Sequence, residues 1–412
     1  MTNSNHEWQL SPDFIHLNHA AVGPWPQRTK TAVQEFAEDN AVNGSLNYMK
    51  WVDIENELRC QLKQLINADS SGEISLLKNT SEALSVIAYG LEWQRGDNVV
   101  ISDQEFPSNY IVWESLRDQG VEIRYANLSG ASPEENLIAL CDKKTRLLSI
   151  SSVQYSTGLK MNLKILGDFC HSENILFCID AIQSIGAHAI DVEDCKADFV
   201  VADGHKWMLG PEGVALFYCR ENVRDLVQLK QFGWRMIEDF LNFDNKTWEI
   251  AKSGRRFECG SPNMLGIHGL HASLSLILEH GILNINRQIE YKMDLLINGL
   301  GKFSEIDIKT PLDPARRCGI FTFGFNRNSL MESSASKNNF DKNTKPMNTD
   351  LNTGASAESQ ESQLFKYLSS KNVFCAMRGG GVRLSPHYHT FDGQIEKVIQ
   401  YISEYLAVKN EL

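Results

Sequence analysis

The feature that most constrains the fold is a series of short apolar segments that alternate with amphipathic ones between about residues 55 and 220. Seven apolar segments have the length and composition of β-strands: 74–78, 98–102, 121–125, 146–151, 175–180, 198–203 and 213–219. Most are separated by a stretch with helical periodicity, an order that is typical of parallel βαβ units. Segments such as 198–203 are apolar throughout, as expected for strands covered on both faces. We therefore predict an α/β fold around a mostly parallel, seven-stranded sheet.

A second, smaller domain is predicted after the sheet. Residues 263–303 are largely helical by period, and strand-like pieces and a closing amphipathic helix follow. We predict a large domain over 31–286 and a small α+β domain formed by 1–30 and 287–412. Between residues 326 and 363 the composition changes to Ser, Asn, Lys, Thr and Asp, which predicts a disordered insertion loop.

Charge and composition limit the class of partner. The formal net charge is −12 at pH 7 and no run of lysine and arginine is present, which argues against nucleic acid or an anionic membrane. No segment has the roughly 20 apolar residues of a membrane-spanning helix, and the polar first residues do not resemble a signal peptide. The nine cysteines are scattered and form no Cys-x-x-Cys pair, which indicates free thiols in the cytoplasm and no zinc site.

Polar side chains stand at the ends of successive strands, where open α/β sheets bind ligands. Asp180 ends one predicted strand, Gln183 follows it, and Lys206 comes just after the next strand within the sequence Gly-His-Lys-Trp. A lysine and a carboxylate that converge on one small molecule suit pyridoxal phosphate, which needs an amine for a Schiff base and an acid beside its pyridine nitrogen. Each residue alone is more often a surface lysine or a helix cap, but the glycines and proline around Lys206 are unusual choices for an ordinary loop.

A phosphate-binding site is predicted where the strand at 74–78 runs into a helix. Asn79 or Thr80 can cap this helix, and Glu82 is placed for a capping box. The free backbone N–H groups at the helix start, with the hydroxyls of Thr80 and Ser81, would bind an anion. A capped helix that binds nothing is the simpler interpretation of this segment taken alone.

Together these motifs resemble those of the class-V aminotransferases, a branch of the fold-type-I pyridoxal-phosphate enzymes that includes cysteine desulfurases and isopenicillin-N epimerase. The resemblance extends from about residue 14 to residue 390, apart from the insertion. It is most specific in Asp-x-x-Gln at 180–183 and Gly-His-Lys-Trp at 204–207. The resemblance implies the fold-type-I transferase fold, pyridoxal 5′-phosphate as cofactor, a small amino acid as substrate and a homodimer.

The resemblance also implies roles for individual residues. Lys206 would form the Schiff base, Asp180 would pair with the pyridine nitrogen, and Gln183 would donate to the phenolic oxygen of the cofactor. Arg383 would bind the substrate carboxylate, a task suited to a guanidinium, with Arg378 nearby. The other implied cofactor contacts are Thr80, Ser81 and His205 at the phosphate, Ser261 at the phosphate from the partner subunit, Phe106 on the ring face and Tyr155 near the phenolic oxygen.

Two departures from the family pattern bear on the reaction. Desulfurases carry a nucleophilic cysteine on a loop before the substrate arginine, whereas here Gly379–Gly381 leads almost directly to Arg383. The nearest thiol, Cys375, lies in an apolar run that is typical of a core. Asp203 stands where a phosphate-binding serine is common, and we expect it to point elsewhere. We therefore predict an enzyme that acts at Cα of a small amino acid by transamination or epimerisation.

Alternatives remain open at this point. One is β-elimination by a C–S lyase on a cysteine-like substrate. Another is a protein that binds the cofactor without catalysis, which the presence of Arg383 disfavours because a mere binder has no use for a carboxylate clamp. A nicotinamide dehydrogenase is disfavoured because no Gly-x-Gly-x-x-Gly follows the first strand. The tryptophans, including Trp113 and Trp207, are expected in the core, and His387 and His389 lack a third metal ligand.

Overall fold

The computed structural model describes residues 6–244, 246–326 and 358–410. The predicted insertion at 326–363 lies mostly outside the described residues, but its last four residues are helical. The strands are β1 (Ile15–His16), β2 (Ile74–Leu77), β3 (Asn98–Ser102), β4 (Glu122–Ala126), β5 (Thr145–Ser151), β6 (Leu176–Asp180), β7 (Phe199–Asp203), β8 (Ala215–Cys219), β9 (Ile306–Ile308), β10 (Phe321–Phe325), β11 (Val373–Phe374), β12 (Ala376–Arg378) and β13 (Gly381–Leu384). The α-helices are α1 (Gln27–Asn43), α2 (Tyr48–Ile66), α3 (Thr80–Gly90), α4 (Ser108–Glu114), α5 (Pro133–Ile138), α6 (Leu163–Glu173), α7 (Met264–His280), α8 (Ile282–Leu300), α9 (Gln360–Ser370) and α10 (Asp392–Asn410).

The central sheet has seven strands, and each predicted strand has its counterpart in it. The order is β2-β8-β7-β6-β5-β3-β4. Neighbouring strands are parallel except β8, which runs antiparallel to both β2 and β7. Strand β8 reverses direction because only the loop 204–214 joins it to β7, whereas a parallel neighbour needs a crossover of about a dozen residues or more. The prediction of a mostly parallel, seven-stranded α/β sheet is confirmed.

Helices cover both faces of this sheet, which explains the continuous apolarity of its strands. Within β7, Val200 belongs to the core on one face and Val201 to the core on the other. The first core also contains residues of α2, α6 and α7, and the second contains residues of α3 and α4. Because successive side chains of a strand point to opposite faces, a strand buried on both sides must be apolar at every position.

A smaller antiparallel sheet of order β12-β13-β10-β9 follows in the chain. Helices α8, α9 and α10 accompany it, and β1 from the N-terminal segment pairs in parallel with β11. That pairing joins the first residues to the C-terminal part of the chain, although the domain boundaries given above stay a prediction. No helix in the described ranges is long and apolar enough to cross a lipid bilayer.

Candidate active site

A cavity of about 260 Å³ opens at the carboxyl ends of β6 and β7. Ten of the eleven side chains predicted for the site line it together: Thr80, Ser81, Phe106, Tyr155, Asp180, Gln183, His205, Lys206, Arg378 and Arg383. They come from segments far apart in sequence: most follow the carboxyl ends of strands of the central sheet, whereas Arg378 and Arg383 belong to the smaller antiparallel sheet. The fold therefore assembles in one place nearly all the groups that the sequence pattern singled out.

Lys206 and Asp180 are both buried at the floor of this cavity. Burial lowers the pKa of Lys206 to about 8, and the negative charge of Asp180 opposes that shift. Burial likewise raises the pKa of Asp180 to about 7, although the backbone N–H of Ile182 donates to its Oδ1 at 3.1 Å and favours the ionised form. The buried acid can face a protonated pyridine nitrogen, and the buried lysine loses its proton at a lower pH than an exposed lysine does.

The start of α3 forms one wall of the cavity and is suited to bind an anion. Asn79 is the N-cap, because its side chain accepts from the backbone N–H of Glu82 at 2.9 Å. The predicted capping box is wrong in one respect: the Glu82 carboxylate accepts from the N–H of Lys78, one residue before the cap. Thr80 Oγ1 accepts from the N–H of Asp203 at 3.1 Å and keeps its own proton available for a ligand.

Asp203 lies in the cavity wall, so the expectation that it points elsewhere is wrong. Its Oδ1 lies 2.9 Å from Nδ1 of His205, and both side chains are largely buried. The carboxylate therefore faces the imidazole ring of His205 within the cavity wall. The sequence pattern could not indicate this contact, because it depends on the rotamers of two residues close in the chain.

Arg383 is buried and has no carboxylate within ion-pair distance in the part of the chain that the structure describes. Its Nη1 donates to the carbonyl oxygen of Tyr155 at 2.7 Å, Nη2 lies 3.5 Å from Oδ1 of Asn18, and Nε finds no acceptor among the described residues. Burial lowers the pKa of Arg383 to about 10, so it stays charged at neutral pH. A buried cation with unused donors is a prepared site for an anionic ligand such as a carboxylate.

The hairpin that carries Arg378 and Arg383 is closed by a two-residue turn. Strands β12 and β13 pair Arg378 with Gly381, and Gly379 and Gly380 between them have φ of 58° and 67°. Two successive positive φ angles are typical of a tight hairpin turn and favour glycine at both positions. The turn leaves no length for a loop over the cavity, in agreement with the sequence analysis.

No cysteine lines the cavity among the described residues. Cys375 is buried, and burial raises its pKa to about 12, so it is a poor nucleophile at neutral pH. All nine cysteines are free, and among them Cys60 is exposed on α2. The described residues contain no group of histidine, cysteine and acidic side chains that could hold a metal ion.

Ser261 is the one predicted site residue that the chain does not bring to the cavity. It is exposed and lines a separate cleft with residues such as Lys78 and Asn263. This placement leaves the role implied by the resemblance, a contact to the cofactor of a partner subunit, as a prediction.

Several residues at this site were not singled out from the sequence. Ala20 and Ala21 of the N-terminal segment line the cavity, as does Ser108 at the start of α4. Glu105 lies nearby and is buried; it has no basic partner among the described residues and accepts from Ser102, Asn109, Ser151 and Gln154. Its negative charge contributes to the raised pKa of Asp180. Burial of Glu105 is not visible in the sequence, so only its position three residues after the strand at 98–102 could have indicated it.

The donor set fits pyridoxal phosphate. The start of α3 and the Thr80 hydroxyl suit the phosphate, Lys206 is the amine at the floor, and the buried Asp180 suits a protonated ring nitrogen. The ring of Phe106 is half-exposed, with Nζ of Lys206 5.4 Å from its centroid, and it packs edge-on against Tyr155 at 5.2 Å. An aromatic wall above the lysine gives a flat ligand a face to stack on.

Comparisons with known proteins agree with this arrangement of side chains in the cavity. The family model described as Aminotransferase class-V matches residues 15–336. A probable cysteine desulfurase of Methanothermobacter thermautotrophicus is 29% identical over 402 residues, which cover 96% of this chain and 95% of that protein. A cysteine desulfurase of Salmonella newport is 30% identical over 324 residues, which cover 76% of this chain and 78% of that protein.

Solved structures share the fold at low sequence identity. The Escherichia coli cysteine desulfurase CsdA superimposes with a TM-score of 0.81 and 18% identity, covering 98% of each chain. The cystine C–S lyase C-DES, solved with its reaction product cysteine persulfide, gives a TM-score of 0.80 and 20% identity, covering 93% of this chain and 96% of its own. These likenesses show the fold of the chain and confirm the fold class predicted from its sequence.

Proposed function

We propose, from the premise that this chain belongs to the aminotransferase class-V family, that it is a C–S lyase acting by β-elimination on a cysteine-like amino acid. Pyridoxal 5′-phosphate is the cofactor. The observation that carries the proposal is a cavity with a buried lysine and a buried arginine but no thiol among its described lining residues. Relatives named cysteine desulfurase support sulfur chemistry over the transamination or epimerisation that we first predicted, which stays unconfirmed.

The elimination breaks two bonds of the substrate, and water then breaks a third, between Cα and nitrogen, to release ammonia. The Cα–H bond gives up its proton, and the Cβ–S bond then breaks with its electron pair leaving on sulfur. With cysteine and one water the products are pyruvate, ammonia and sulfide; with cystine, cysteine persulfide replaces sulfide. No protein thiol takes part in this balance, which agrees with the short turn at Gly379–Gly380 and with the burial of Cys375.

The chain supplies positioning and proton transfer for this reaction. Arg383 binds the α-carboxylate through its unused donors, so that Cα lies near Lys206. Lys206, with its pKa lowered to about 8 by burial, takes the α-proton as a neutral amine. Asp180 keeps the proton on the pyridine nitrogen. When bound, pyridoxal phosphate supplies the electron sink that makes the α-proton acidic.

We also propose that the active form is a homodimer. Large apolar side chains on the surface include Met49, Phe243 and Trp248, and each is more than half exposed. A second copy of the chain could cover such apolar side chains. Sedimentation analysis of the purified protein would test this: a dimer supports the proposal and a monomer at assay concentrations contradicts it.

Product identification tests the proposed reaction. Protein loaded with pyridoxal phosphate is incubated with cysteine and with cystine, and the mixture is analysed for pyruvate, alanine, sulfide and D-isomers, with Lys206→Ala as the inactive control. Pyruvate formed in proportion to sulfide or persulfide supports elimination. Alanine together with a persulfide on the protein indicates a desulfurase. A keto acid formed only with an amino acceptor, or a D-isomer without sulfur release, would return the assignment to transamination or epimerisation.

A further inference from the structure

Trp207, the residue after the cofactor-binding lysine, is fully buried, and its indole N–H donates to Oε1 of Gln183 at 2.8 Å. We propose that Trp207 is a positioning residue that fixes the amide of Gln183 with one N–H directed to the cofactor. The proposal rests on pyridoxal phosphate lying in the cavity and on the contact of Gln183 with its phenolic oxygen. It does not depend on which bond of the substrate breaks.

Two neighbours determine the orientation of the Gln183 amide independently. The indole N–H of Trp207 can only donate, so it must face the amide oxygen. The carbonyl oxygen of Ala20 can only accept, and it receives Nε2 of Gln183 at 3.0 Å. Both contacts require the same orientation of the side chain. One proton of Nε2 is then left over, and the side chain lines the cavity, so this proton is the donor available to a ligand.

The acceptor of the first Nε2 proton is itself held in place. The N–H of Ala20 donates to Oγ of Ser385 at 3.0 Å, and the N–H of Gly23 donates to the carbonyl oxygen of His205 at 2.8 Å. The N-terminal segment is thus attached on one side to the C-terminal part of the chain and on the other to the loop that carries Lys206. The fixed carbonyl at Ala20 gives Nε2 of Gln183 a stationary acceptor. It does not replace the donor that Oε1 loses if the indole N–H of Trp207 is removed.

The indole is also confined. Nε2 of His387 lies 3.1 Å from the carbonyl oxygen of Trp207, and a Cβ placed on Gly319 would lie 2.6 Å from the indole ring. Gly319 has φ of 57°, which glycine adopts without strain. A ring held this closely keeps its N–H in one direction, as a positioning group must.

Loss of the indole N–H should disturb the cofactor through Gln183. Without a donor at Oε1 only the carbonyl of Ala20 still holds the amide, and the side chain can tilt so that its second Nε2 proton no longer points to the phenolic oxygen. A donor at the phenolic oxygen stabilises that oxygen most when it carries a full negative charge, as it does at high pH. Its loss should therefore raise the pH midpoint of the cofactor colour change and weaken binding of the cofactor.

Trp207→Phe has a matched control in Trp113→Phe. Trp113 is equally buried, and its N–H donates at 2.8 Å to Oδ1 of Asn109, a residue that does not line the cavity. We expect Trp207→Phe to raise the midpoint of the colour change by about 0.5 pH unit and to weaken binding of pyridoxal phosphate about 5-fold. We expect Trp113→Phe to leave both unchanged, although both variants lose stability.

A double-mutant cycle with Gln183→Leu identifies the route of the effect. If Trp207 acts through Gln183, Trp207→Phe changes neither the midpoint nor the affinity further in the Gln183→Leu background. Additive effects, or equal effects of the two tryptophan variants, would overturn the proposal. If Gln183→Leu alone changes neither the pH midpoint nor the cofactor affinity, then Gln183 does not contact the phenolic oxygen. The proposed elimination reaction is tested separately, by its products. Should Trp207→Phe not fold, benzothienylalanine at position 207 removes the N–H at nearly constant shape and serves for the same comparison.

Discussion

Arg383 donates from Nη1 to the carbonyl oxygen of Tyr155 at 2.7 Å, and this neutral acceptor is its strongest contact within the described chain. The buried arginines Arg59, Arg235 and Arg317 are paired with acids; Arg235, for instance, contacts both carboxylate oxygens of Glu55 at 2.6 Å. Burial of a charge without a counter-ion is costly. The site therefore carries a cost in stability that binding of an anionic ligand would relieve.

Replacement of Arg383 by lysine should impair substrate binding more than it impairs folding. Lysine keeps the charge but cannot form two parallel hydrogen bonds to a carboxylate. We expect kcat/KM to fall about 10- to 100-fold, mainly through KM, from the loss of one charge-assisted hydrogen bond. Steady-state kinetics with cysteine or cystine would measure this loss in kcat/KM. The control is Arg316→Lys, because Arg316 forms an ion pair with Glu134. An unchanged KM would refute the assignment of Arg383.

Lys206→Ala should abolish covalent attachment of the cofactor. Borohydride reduction of the loaded wild-type protein should add the mass of a pyridoxyl group to the peptide that contains Lys206, and the variant should gain none. Lys292→Ala is the matched control, because Lys292 is also buried but pairs with Asp392. Pyridoxyl mass on another lysine of the wild-type protein would show that the cofactor lysine was assigned wrongly.

The pH dependence of the reaction should follow the charges around Lys206. Burial lowers its pKa to about 8; the charge of Arg378 lowers it further, whereas that of Asp203 raises it. Lys206 is a free amine only after substrate has taken its place on the cofactor, and the base must be neutral, so kcat should increase with pH up to about 8 and then level off. We expect Arg378→Gln to shift this midpoint upward by about half a unit, and Asp203→Asn to shift it downward by a similar amount. Shifts in the same direction would exclude Lys206 as the group that titrates.

Much of the fold followed from sequence, because strands buried on two faces must be apolar at each position, and those of the central sheet were recognisable for that reason. The ends of β6 and β7 could likewise be located, and with them Asp180 and Lys206. The carboxyl ends of parallel strands lie at one edge of the sheet, so the proximity of Asp180 and Lys206 was predictable from the topology alone.

Contacts set by side-chain geometry could not be predicted in this way. The Asp203–His205 contact and the Trp207–Gln183 hydrogen bond each depend on rotamers, and the sequence pattern indicated neither. Trp207 was correctly expected in the core, but its N–H was not considered. The predicted role of Ser261 at the cofactor of a partner subunit stays a prediction, because its side chain lies outside the cavity of its own chain.

Cys375→Ala should leave sulfur release within about two-fold of the wild-type rate, because the thiol is buried and burial raises its pKa to about 12. Cys60→Ala, which removes an exposed thiol, is the matched control. Sulfide release and intact protein mass after reaction with cysteine are the measurements. Loss of sulfide release in folded Cys375→Ala, with a persulfide on the wild-type protein, would establish a desulfurase mechanism and contradict the proposed elimination.

Two ion pairs of equal length should differ widely in their value for stability. Arg235 meets Glu55 at 2.6 Å with both side chains fully buried, whereas Arg256 meets Asp225 at 2.6 Å with the aspartate almost fully exposed. Arg59 joins Glu55 to Glu258, so Arg235→Met leaves two buried acids with one cation between them. We expect a loss of about 3–5 kcal/mol in the free energy of unfolding.

The exposed pair is the control for this expectation. Arg256→Met should cost about 1 kcal/mol or less, because water screens the aspartate. Denaturant titration of both variants without cofactor measures the difference. Glu258 also accepts from the backbone N–H of Leu76 in β2, so the charged cluster ties the segment before Ser261 to the central sheet. Equal losses in the two variants would mean that burial does not govern the strength of this cluster.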